Sequence, residues 1–129
     1  MSRTLFVLRY RDGEPEPLDM RVVQEVLAPH ATEGGDDVLG GVLLRTAEGH
    51  EVHVDVNEVC VAVSRFPRGA FFDVLAELVV RLGASVTPSD GPVLLREEAD
   101  RAGLPAEARE TATVVAMTGP ALDAALNGS

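Results

Sequence analysis

The sequence predicts an α+β domain. Its sheet is mainly antiparallel, in the order β-α-β-β-β-α-β (a ferredoxin-like variant), with two main helices packed on it and short elements at the C-terminal end. Three observations carry that prediction. Short runs rich in Val and Leu alternate with turn residues, and Glu51–Val56 (EVHVDV) keeps a strict period of two. Leu18–Ala28 and the stretch after Pro67 instead repeat apolar residues at helical spacing. Finally, 129 residues that are 46% hydrophobic and 25% charged suit one domain, 1–129, whose core needs no disulfide or metal.

Taken in order, Thr4–Tyr10 carries Leu5 and Val7 on one face and Phe6 and Leu8 on the other, which predicts an inner strand of a covered sheet. Asp12-Gly13 signals a turn, and the prolines of Glu14–Pro17 argue against further strand. Leu18–Ala28 is the first helix, capped by Asp19, striped by Val22, Val23, Val26 and Leu27, and stopped by Pro29. A polar loop, His30–Asp37, leads to a strand over Val38–Thr46 loosened at Gly40-Gly41. Glu51–Val56 and Val59–Ser64 complete an antiparallel meander, the latter apolar on both faces and therefore the more central.

The helix after Pro67 places Phe71, Leu75, Leu78 and Leu82 on one stripe, with Asp73, Glu77 and Arg81 opposite and Gly83 as its cap. Beyond it, Ser85–Thr87, Val93–Leu95 and Thr111–Met117 have strand character. Glu97–Ala102 and Pro105–Glu110 suit short helices, and Pro120–Leu126 a closing helical turn.

Charge narrows the function. Eleven basic residues against 21 acidic ones leave a net charge of −10, which repels nucleic acid and anionic membrane and favours a basic protein partner. All eleven basic residues are Arg, and Lys and Ile are absent, a bias expected of a GC-rich bacterial genome. Without Lys, the phosphate-binding P-loop and the lysine Schiff base are excluded. With Cys60 as the only cysteine, an intrachain disulfide and a Cys-rich zinc site are excluded as well. The N-terminal apolar run is too short for a signal-peptide core, so the expected location is the cytoplasm.

Candidate chemistry concentrates on Glu51, His53 and Asp55, with Asn57 beyond them. Alternate strand residues share a face, so His53 and Asp55 are placed to share a metal, or Asp55 to orient His53 as a base. The solvent face of a half-buried strand explains the same pattern and is the stronger reading. Arg65 and Arg68, flanking Phe66-Pro67 before a helix N-terminus, form a second candidate, for an anion or a partner carboxylate. Cys60 reads as a structural thiol, and Ser64 lacks the glycines of a nucleophile elbow. The groups Glu14/Glu16/Asp19, Glu33/Asp36/Asp37 and Glu97/Glu98/Asp100 read as solvated surface or a docking surface.

The expected function is therefore a small, acidic, non-catalytic interaction domain that binds a basic protein, immunity- or antitoxin-like in concrete form. No cofactor, nucleic acid or membrane is expected. The alternatives are a small-ligand- or metal-binding protein or enzyme using His53 and Asp55, and a homodimer built by pairing sheet edges or faces.

Overall fold

The computed structural model of the chain describes residues 4–32 and 38–127. The protein is α+β. Its elements are β1 (Thr4–Arg11), β2 (Glu14–Glu16), α1 (Met20–Leu27), β3 (Val42–Arg45), β4 (Glu51–Val56), β5 (Cys60–Ser64) and α2 (Ala70–Leu82). They continue with β6 (Ser85–Pro88), β7 (Leu94–Leu95), α3 (Ala106–Arg109), β8 (Thr113–Val114) and α4 (Gly119–Asn127). The main sheet runs β3-β4-β5-β1-β6-β7-β8, antiparallel throughout except for the parallel pair β7–β8, and β2 pairs with β1 to one side of that path.

The meander β3–β4–β5 forms as its alternation predicts, and β1 lies at the centre of the sheet. Both neighbours of β1 run antiparallel to it. A ferredoxin-like split βαβ would instead set β1 parallel to a strand reached across a helix. The chain differs because three successive hairpin-linked strands follow α1, and the last of them, β5, folds back against β1.

Three short segments depart from the sequence-based expectation. The strand expected over Val38–Thr46 begins only at Val42, because Leu39 and Gly40 form a turn before it. Glu14–Glu16 is a strand despite Pro15, because β2 bonds only to β1 and the missing proline donor faces no second strand. Asp12 and Gly13, with φ of +53° and +85°, make the two-residue turn whose twist suits such a hairpin. In Thr111–Met117 only Thr113–Val114 is strand, paired with β7 and followed by a Val115 N–H bond to Leu95; Val115 and Met117 pack on the main core.

One face of the sheet meets the helices. Leu5 and Val7 of β1, Val52, Val54 and Val56 of β4, and Val61 and Val63 of β5 are buried there with Val23, Val26 and Leu27 of α1. From α2 come Phe71, Phe72, Leu75, Leu78, Val79 and Leu82, as the helical stripe requires. Each of these large side chains contributes roughly 1.5–3 kcal/mol on full burial. Leu122 and Leu126 of α4 join the same cluster, so a third helix completes the layer. A second, smaller cluster joins Val93, Leu95, Leu104 and Ala112 with Tyr10, on the opposite side of β7 from Leu94.

Candidate functional site: the open face of the sheet

Strand alternation decides what the other face carries. Residues directly opposite each other in antiparallel strands project to the same side. Phe6 lies opposite Ala62 and Thr87, and Leu8 opposite Cys60 and Ser85. Asp55 lies opposite Ala62, His53 opposite Leu43, and Glu51 opposite Arg45. The open face thus has a central apolar band of Phe6, Leu8, Cys60 and Ala62. These four residues are half-buried and belong to neither core cluster. Beside the band runs a polar strip of Arg45, Glu51, His53 and Asp55, interrupted by Leu43, which is 39% exposed.

The sequence-predicted residues fall into two groups. Glu51, His53 and Asp55 do share the strip. Glu51 pairs with Arg45 at 3.3 Å, while His53 Nδ1 and Asp55 Oδ1 are 3.7 Å apart, beyond a hydrogen bond, with both side chains about two-thirds exposed. Asn57 is used elsewhere: its Oδ1 accepts the Val59 and Cys60 N–H groups at 2.9 Å and closes the β4–β5 turn. Among the described residues, no three His, Cys, Asp or Glu side chains group as a metal-binding set.

Arg65 and Arg68 lie beyond the end of β5, in the connection to α2. Arg65 adopts the left-handed conformation, φ +55°. Arg68 reaches α4, where its Nε donates to Asp123 at 2.8 Å. The helix N-terminus behind them is met by the protein's own carboxylates. Ala70 N–H donates to Glu48 at 3.1 Å, and Gly69 N–H donates to Asp123. Burial pushes the Asp123 carboxyl up, but the hydrogen bonds from Asn127, Arg68 and Gly69, with the Arg68 charge, hold it below the usual carboxylate range.

The remaining candidates resolve into structural roles. Burial pushes the Cys60 thiol up, which leaves it a weak nucleophile at neutral pH. The Ser64 and Thr4 hydroxyls share a hydrogen bond at 3.0 Å. Asp19 caps α1 through Arg21 N–H, Glu16 lies between Arg9 and Arg11, and Glu98 and Asp100 pair with Arg101 and Arg96. Much of the acidic surface is therefore matched locally by arginine. The group Glu33/Asp36/Asp37 lies outside the described residues.

Sequence reasoning missed the apolar band, because Phe6 and Leu8 were assigned to a face covered by other layers. The signal that could have found it was the single long helix following the meander: too little apolar helix surface is available for two faces. Among the described residues, no helix is long and apolar enough to cross a membrane. Comparison with family models, with curated proteins and with solved structures finds no match.

Proposed function

We propose that the chain is a small, acidic, non-catalytic interaction domain that receives a basic partner protein on the open face of its sheet. An immunity- or antitoxin-like role is its concrete form. The observation that carries this reading is the Phe6–Leu8–Cys60–Ala62 band, which lies in neither core, beside the Glu51–His53–Asp55 strip on a chain of net charge −10. Apolar area supplies affinity at such a surface, while charge supplies orientation and association rate.

The test places a photo-crosslinker at position 43, on the open face, or at position 80, exposed on α2, in an extract of the source cells. A basic protein captured at 43 and not at 80, and released as salt rises from about 0.05 to 0.5 M, supports the reading, since screening shortens the reach of surface charge. Salt-insensitive capture, or equal capture at both positions, overturns it. Crosslinking of the chain to itself at 43 would assign the face to a homodimer instead. In the ligand-binding reading, His53→Ala and Asp55→Ala would abolish binding of a metal or small ligand. In the interaction-domain reading they change only partner affinity.

A further inference from the structure

A cleft of about 420 Å³ opens where the C-terminal end of β1, the end of α2 and the 3-10 segment Glu98–Gly103 meet. Its lining gathers Arg9, Arg11 and Arg96 against Glu16 and Asp100. With Glu97, which pairs with Arg96 from outside the lining, cations and carboxylates are equal in number here, on a chain with nearly twice as many acidic as basic residues.

Two of the arginines converge, and Arg11 lines the same cleft beside them. Arg9 Nε and Arg96 Nη2 lie 4.0 and 3.9 Å from the point at which a side chain on Gly83 would begin. The absence of a side chain at Gly83, required by its left-handed φ of +68°, leaves that space open between the two guanidinium groups. Arg96 is oriented by Asp100, whose oxygens accept from Nε at 3.1 Å and Nη2 at 3.3 Å, and its Nη2 also reaches Glu97 at 3.5 Å. Glu16 is divided between Arg9 and Arg11, 3.6 Å from each and beyond hydrogen-bond reach, so donors of both arginines remain available.

A bland role accounts for part of this arrangement. The C-terminal end of a helix carries roughly half a negative charge, which one arginine would neutralise. That half charge does not account for three guanidinium groups, and the Val79 and Val80 carbonyls already accept the Gly83 and Ala84 N–H groups. Glu16, Asp100 and Glu97 offset these charges within the protein, so what the cleft offers a ligand is the guanidinium donors that those carboxylates leave free.

We propose that the cleft binds a small oxyanion, a phosphate or carboxylate group on a metabolite-sized molecule, through the forked donors of Arg9, Arg11 and Arg96. Guanidinium groups match both anions in bidentate geometry. The cleft volume lies within the range of small-ligand sites, about 300–1,000 Å³. A polyanion such as nucleic acid would meet the whole negative surface. A small anion inside the cleft is shielded from remote carboxylates beyond about 8 Å at physiological salt.

The test is calorimetric titration of the full chain with inorganic phosphate and, separately, with citrate. Saturable binding of one molecule per chain is expected for at least one of them, and the preference between the two assigns the ligand to the phosphate or the carboxylate class. Arg9→Gln with Arg11→Gln should weaken that binding by roughly tenfold or more, the scale of one lost charge-assisted hydrogen bond. Both side chains are exposed, and circular dichroism should show the fold retained. Arg21→Gln, a charge change on α1 outside the cleft, should leave binding unchanged. Saturation by neither anion, or an equal loss in Arg21→Gln, overturns the proposal.

Discussion

Gly69 holds φ +91° and ψ −128° at the entrance to α2, and a side chain there would begin 2.3 Å from the Glu48 carboxylate that caps the helix. Only glycine populates that region without strain, so Gly69→Ala should lower stability by about 1–3 kcal/mol. Chemical denaturation should show this as a lower midpoint with an unchanged slope. Asp123 makes a different prediction. Its carboxyl titrates lower in the folded chain than in the unfolded one. Its charge therefore favours the fold above the unfolded value, about 3.9, and that contribution is lost as pH falls through the lower folded value. Asp123→Asn should thus flatten the acid limb of the stability-versus-pH curve, measured by denaturation at successive pH values. An unchanged acid limb would show that the Arg68 and Gly69 contacts carry no such role.

At the scale of elements, α4 is the one whose weight the sequence understated. Pro120–Leu126 reads as a closing turn, yet Leu122 is fully buried and Leu126 nearly so against α2. Leu122→Ala should therefore cost about 2–5 kcal/mol, the range of buried leucine truncations. A surface turn would cost less than about 0.5 kcal/mol, and calorimetry separates the two. The junction of α4 with α2 explains the difference. Gly119 approaches so closely that a side chain there would begin 2.0 Å from the Asp73 carboxylate, while Asp123 reaches back to Arg68 and Gly69. Near the same junction, Phe66, Phe71 and Phe72 pack with ring centroids 5.7–6.5 Å apart, Phe66 stacked on Phe71 and both edge-to-face with Phe72, so three of the four phenylalanines are spent where β5 turns into α2.

Across the whole molecule, two buried clusters of unequal size imply unequal local stability. The smaller one is bound in part through Arg101, whose Nη1 donates to the Arg109 and Ala112 carbonyls while Nε and Nη2 donate to Glu98. Lysine cannot reproduce that fork. Arg101→Lys should speed hydrogen exchange at the Thr113 and Val115 amides, which bond to Val93 and Leu95, and leave the amides of β1 and β5 protected. Equal acceleration everywhere would mean a single cooperative unit.

The sequence by itself determined the α+β class, the β4 alternation, the Asp19 and Gly83 caps, and the buried stripe of α2. Each of these rests on periodicity or on a backbone preference acting within a few residues. Glu51, His53 and Asp55 were legible as one strip for the same reason, since neighbours on a strand face need no tertiary information. Only the tertiary structure decided that both neighbours of β1 run antiparallel, that Phe6 and Leu8 lie outside both cores, and that Arg9 and Arg96 meet over Gly83 in a cleft that Arg11 also lines. These outcomes depend on contacts between residues tens of positions apart. Their cost is set by chain closure and packing rather than by local propensity, so no short-range pattern in the sequence encodes them.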